Sequence, residues 1–234
     1  LNLSDIANQE PTGLHQMLLH RMVGTTHMLR CGLDNAPWHP DRFISNYRAD
    51  FHADLMRPFG ATDNHATVMS CFSAIRAITG TQDEANRAID AALLAAEQTG
   101  LAHTMCHTLT FGAALPSALR RDWDAVSNFR DRLHKISSER DLAFWAIFDR
   151  MLTGFLEIAE GTHKPGFAKS EECFNTLRDN DFLFLFPTFR TARALAELET
   201  PDGPTEDLAA LEQTLSLGER WMLVYFKELR EQAL

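Results

Sequence analysis

The run His103-Thr104-Met105-Cys106-His107 is the densest group of chemistry-bearing side chains in the sequence. On a helix, residues i, i+3 and i+4 share a face, so His103, Cys106 and His107 could offer two imidazoles and a thiolate to one Zn²⁺. A fourth ligand would have to come from elsewhere, for instance His134, and such a centre would suit a metal-assisted hydrolase built on His103 and His107. The ligand set is incomplete, so the preferred reading is plainer. His103 opens a helix, Cys106 and His107 pack against neighbours, and no metal or cofactor is expected. Asp122 and Asp124 flank Trp123 and could act as an acid/base pair in a partly dry cleft. Their place just after a turn accounts for them better, because carboxylates near a helix N-terminus meet its positive end.

A second set carries binding chemistry. Arg76, His107, Arg150 and Arg190 are polar positions on otherwise apolar helical stretches, and Phe186 stands close to Arg190 in the sequence. Guanidinium groups suit carboxylate or phosphate, and phenyl rings supply apolar contact. The hypothesis is that these residues grip a small anionic inducer or an acidic segment of a protein or peptide partner. The competing explanation is that each arginine pairs with an acid of the adjacent helix. Glu171-Glu172 and the Arg190/Arg193 spacing read as solvated faces. Trp38, Trp123, Trp145 and Trp221, with the phenylalanines of 182–189, could line a groove, but filling the gaps between helices is the better use for them.

What must position these residues is a series of helices. Leu101–Leu119 reads as one helix of small and apolar residues, Arg120–Asp122 as a tight turn, and the next stretch as a more charged helix. Gly80 stands 40 residues before Arg120, and Gly161 stands 41 after it. Five residues beyond these three points come Ala85, Ala125 and Gly166, small residues where helices could approach closely. A recurring helical hairpin of about 40 residues marks an α-solenoid. Further helices are predicted over 12–30, 41–54, 64–79 with Asp63 as N-cap, 83–98, 141–160, 164–178, 182–198, 206–216 with Thr205 as cap, and 219–233. Cys31-Gly32 suits a C-cap, and Pro201–Pro204 a break. Phe182–Phe186 alone could be a buried strand, but the apolar spacing that continues through Leu195 is helical. No strand is required.

The formal net charge is −10, which argues against direct contact with nucleic acid, since phosphate contact needs clustered Lys and Arg. Hydrophobic residues make up 45% of the chain, enough for a long core. Four dispersed cysteines, with no CxxC pair, read as reduced core residues of a cytoplasmic protein. No apolar run is long enough for a membrane span, and the polar start is not a signal peptide. The absence of an initiator Met suggests a fragment of a longer chain.

The segments His20–Gly32, Glu84–Leu115, Arg120–Val126 and Leu217–Leu234 together resemble the C-terminal tetratricopeptide-like region of large bacterial signalling ATPases. In that family the region follows a nucleotide-binding module, and the N-terminus carries a winged-helix or an adenylate/guanylate cyclase domain. The stretch 36–40, the phenylalanine cluster and TPDGP depart from the family pattern, and no GxxxxGK[ST] occurs. The resemblance implies an all-α, right-handed α-solenoid of tetratricopeptide-like hairpins, a single domain over 1–234, acting as a non-catalytic sensor or scaffold in signalling or transcriptional regulation. A free-standing helical-repeat adaptor is the alternative of the same fold.

Overall fold

In the computed structural model, the described residues are 14–30, 38–48, 62–200 and 208–232, and every regular element among them is helical. The expected cap at Cys31-Gly32, the break at 201–204 and the cap Thr205 lie outside them. No helix among the described residues is long and apolar enough to cross a membrane. The chain divides into two compact units, Leu1–Gly112 and Ala113–Leu234.

The first unit contains α1 (Leu14–Leu29), α2 (Trp38–Asn46), α3 (Asn64–Thr79) and α4 (Gln82–Thr99). It also holds α5 (Ala102–His107), which runs on into a π-helical stretch, Thr108–Ala114. Met17, Phe43 and Val68 form one buried cluster joining α1, α2 and α3. Asp63 caps α3 as expected, accepting the Ala66 N–H at 2.9 Å. Thr81 and Glu84 form a reciprocal capping box at the start of α4, which satisfies two N–H groups that the helix itself cannot. Ala66 packs with Ala95 and Ala96, so small side chains let α3 and α4 lie close. The expected single helix over 101–119 is broken by the π stretch. At Gly112 an added Cβ would stand 2.6 Å from Ser70 Oγ, and Ser73 Oγ donates to the Gly112 carbonyl at 2.7 Å.

The second unit holds α6 (Leu115–Leu119), α7 (Trp123–Glu139), α8 (Ala143–Ala159), α9 (His163–Asp179) and α10 (Phe186–Glu197). It continues with α11 (Leu208–Leu217), a 3₁₀ segment (Arg220–Tyr225) and α12 (Phe226–Gln232). Helices α7, α8 and α9 are 17 residues each and start at Trp123, Ala143 and His163, a step of twenty. The step is set by one link used again and again. Arg121, Asp141, Gly161 and Asp181 all take positive φ, between 52° and 88°. The N–H of each donates to the carbonyl three residues back. The following N–H, on Asp122, Leu142, Thr162 and Phe182, donates to the carbonyl five back, at 3.0, 2.8, 2.7 and 2.9 Å. This is the Schellman closure, which satisfies the last carbonyls of a helix and reverses the chain at once. The next helix then begins with no spare residue: Asp122, Leu142 and Thr162 are already the N-caps of α7, α8 and α9.

The link corrects the repeat register read from the sequence. Ala85 and Gly166 are each the fourth residue of their helices and are buried. In α7 that place belongs to Val126, fully buried, whereas Ala125 sits one residue early and is half-buried. The count should start from Arg121, the left-handed residue, rather than from Arg120. Gly166 is required by contact rather than by φ, since an added Cβ would lie 2.5 Å from the Gly154 carbonyl of α8. Elsewhere in the second unit Phe148, Phe155, Phe174 and Phe189 are buried, as are Trp145 and Trp221, in keeping with aromatics as interior filler.

The stretch 182–185 is a turn rather than the first turn of a helix, and α10 starts at Phe186. Pro187 falls in the first turn, where its missing N–H costs no helical bond. Leu185, at the N-cap, makes no side-chain cap bond, and Glu219, 31 residues beyond Thr188, supplies the acceptor instead. Its carboxylate accepts from the Thr188 N–H at 3.1 Å and the Thr188 hydroxyl at 2.5 Å, while Trp221 Nε1 donates to that hydroxyl at 3.0 Å. Burial pushes the Glu219 carboxyl up, against the pull of these bonds.

The links carry a paired expectation. Gly161→Ala places a Cβ in the left-handed region and should cost about 1 kcal/mol, whereas Asp141→Gly relieves the same constraint and should gain or hold about 0.5 kcal/mol. Urea unfolding of the two variants checks this; a Gly161→Ala chain as stable as the parent would contradict the left-handed link.

Candidate binding surfaces

The three groups of the HTMCH run diverge. His103 is exposed, Cys106 is fully buried with its thiol pushed up to about 11 by that burial, and His107 is half-buried with its ring 4.9 Å from Phe111. Among the described residues no three His, Cys, Asp or Glu side chains are grouped to hold a metal ion. His134 pairs with Asp149 at 2.8 Å. Asp122 caps α7, accepting the Ala125 N–H at 3.1 Å, and Asp124 is exposed in the first turn. Both therefore stand where the helix end favours a carboxylate.

Of the residues with binding chemistry, Arg76 and His107 belong to the first unit, and Arg150, Phe186 and Arg190 to the second. Arg76 lies in the last turn of α3, with its guanidinium 4.9 Å from the centre of the Phe72 ring. Arg150 reaches across from α8 to Glu172 of α9 at 2.5 Å, with both side chains more than half exposed. An ion pair that open to water contributes at most about 1 kcal/mol. It borders a shallow cleft of about 250 Å³ between α8 and α9, lined by Ala143, Ala146, Ile147, Arg150, Glu172, Cys173 and Thr176. Phe144, which follows Ala143 on α8 without lining the cleft, is 39% exposed, with its ring 5.3 Å from that of Phe182. Leu183 and Phe184 follow Phe182 and are 57% and 45% exposed. Phe144 and Phe182 also pack edge-on against the buried Phe148, at 5.3 and 5.9 Å, so this exposed patch continues the interior aromatic cluster to the surface.

Arg190 and Phe186 come together, but in company that the sequence did not announce. The Arg190 guanidinium is 5.9 Å from the Phe186 ring and 6.0 Å from the Phe174 ring. Beside it, Arg193 is only 1% exposed, 4.3 Å from Phe167 and 5.0 Å from Phe174, and pairs with Glu171 at 2.7 Å. Glu197, fully buried, is 3.6 Å from Arg193 one helical turn on. The reading of Arg190/Arg193 and Glu171 as a solvated face is therefore corrected for Arg193. The guanidinium is held between two rings and an acid, because position 193 falls on the stripe of Phe189, Ala192 and Ala196, which is buried throughout. That stripe, with an acid four residues ahead, is the signal by which Arg193 could have been found.

No protein family, no curated protein and no solved structure matches this chain.

Burial first, and then the charge of Arg21, pull the His107 imidazole down to about 4 from its ordinary value. The unfolded chain binds this proton near pH 6.5 and the native chain only near 4, so acidification across that window favours unfolding. The parent should lose stability relative to a His107→Phe variant as pH falls from about 6.5 to about 4, and the two should run parallel above it. Denaturant midpoints measured across this range check the effect; parallel curves throughout would show that His107 is solvated like a free imidazole.

Proposed function

We propose that the chain is a right-handed α-solenoid of tetratricopeptide-like hairpins serving as the non-catalytic binding region of a cytoplasmic bacterial regulator, of the kind its sequence resembles. The observation that carries this reading is the four Schellman links at twenty-residue steps, because a two-helix unit repeated with one link geometry is what stacks into such an array. The cleft between α8 and α9 is the surface best suited to a partner. It offers Ile147 and the neighbouring Phe144 as apolar contacts, with Arg150 and Glu172 at its border. A short extended segment of a protein partner would set an apolar side chain beside Phe144 and a carboxylate on Arg150, exchanging the weak Arg150–Glu172 pair for its own. Arg190, beside Phe186, is another guanidinium set against a ring, and it fits an acidic side chain in the same way.

Peptides selected from a displayed random library against the purified chain test this. The selected sequences should lose binding at least about tenfold, some 1.4 kcal/mol, to Phe144→Ser and Arg150→Glu variants with unchanged melting temperatures. Peptides that bind both variants as well as the parent would remove the cleft from consideration. Esterase or phosphatase turnover lost in His103→Ala and His107→Ala variants would favour the hydrolase reading instead.

A further inference from the structure

Arg21 is a half-buried arginine held by a neutral side chain. It lies at the middle of α1, half-buried, and its guanidinium donates to Asn64 Oδ1 at the start of α3. Asn64 is itself 2% exposed, so this bond fixes Arg21 against the interior rather than leaving it to sweep through solvent. A neutral amide oxygen does not balance a charge. Among the described residues no carboxylate is within ion-pair distance of Arg21, whereas Arg121, Arg150, Arg193 and Arg230 each have one. The nearest acid that Arg21 feels is Asp63, whose Oδ1 is committed to the Ala66 N–H as the cap of α3. Desolvation pulls the guanidinium below its ordinary value, the mark of a cation not fully compensated.

His107, at the end of α5, is half-buried like Arg21, and burial first, then the Arg21 charge, pulls its imidazole below its ordinary value. His65 follows Asn64 on α3 and stacks flat on Tyr47 at 4.5 Å, with burial keeping it neutral too. Cys71 stays a thiol and takes part through Thr25 at 3.9 Å, so it adds no negative charge. The first turn of α3 brings the positive end of a 16-residue helix to the same place. The π-helical stretch starts at Thr108, directly after His107, and Thr110 within it has a fully buried hydroxyl with no partner among the described residues. Such irregular helix is rare and gathers beside functional positions.

We propose that Arg21, where α1, α3 and α5 meet, is the anchor of a binding site for a small oxyanion, a carboxylate or a phosphate, with His107 as a neighbouring neutral donor. One N–H of the planar Arg21 fork goes to Asn64, and in the proposed site the others meet the anion. Desolvation strengthens each of these bonds above its value in water. The site lies within the first unit and shares no residue with the cleft of α8 and α9, so the two readings fail separately.

The test is an NMR titration of the full chain with inorganic phosphate and, separately, with acetate, at ionic strength held constant with chloride. The Arg21 Nε–H and the Asn64 side-chain amide should shift saturably with at least one of them. Phosphate saturating at lower concentration assigns a phosphate ligand, and acetate doing so assigns a carboxylate. Arg21→Lys keeps the charge but loses the fork, and should weaken saturation by about tenfold while the amide spectrum stays that of the folded parent. No saturable shift of the parent with either anion overturns the proposal, and so does equal saturation in Arg21→Lys.

Discussion

The second unit depends on one backbone closure. At Arg121, Asp141, Gly161 and Asp181 the chain enters the left-handed region for a single residue, pays back two orphan carbonyls of the finished helix, and starts the next helix immediately. With helices of 17 residues and links of three, α7, α8 and α9 begin in phase. The tight link folds α9 back on α8, so that the twelfth residue of one, Gly154, meets the fourth of the other, Gly166, closely enough to exclude even a methyl group. The buried phenylalanines fill the interior elsewhere in the unit, and the surface pairs Arg150–Glu172 and Lys169–Glu157 run along the outside of the same two helices.

Helix existence was legible because apolar periodicity and capping chemistry agreed. Asp63 before α3, and Pro187 in the first turn of α10, act as their residue types predict. The link was only half legible. Gly161 announces a left-handed residue, but Arg121, Asp141 and Asp181 do the same work with side chains that rarely take that conformation, so the register slipped by one residue at Arg120. The π stretch gave no compositional sign, because what holds it is the Ser73 hydroxyl on the Gly112 carbonyl, a contact between residues 39 apart. Nor could local pattern show that 182–185 is a turn. There the cap of α10 is Glu219, brought in by the C-terminal elements.

Candidate sites follow the same division between local and tertiary causes. Charge type marked Arg150 and Arg190 in the sequence, and the structure sets them beside Glu172 and beside Phe174 and Phe186. What spacing alone could not separate is a cation paired with an acid, such as Arg193 on Glu171, from one that among the described residues meets only a neutral amide, such as Arg21 on Asn64. That difference decides where an acidic ligand gains most. An exposed, paired arginine must give up a partner to bind, whereas a desolvated one held by an amide has donors already oriented.

The repeated closure is the claim on which the proposed hairpin array stands, and amide hydrogen exchange measures it most directly. The N–H groups of Asp122, Leu142, Thr162 and Phe182 lie outside or at the very start of helices, yet each bonds a carbonyl five residues back. They should exchange as slowly as helix-interior amides of α7, α8 and α9, with the protection rising and falling together in denaturant. Exchange at the rate of open turn amides at these four positions would contradict the account.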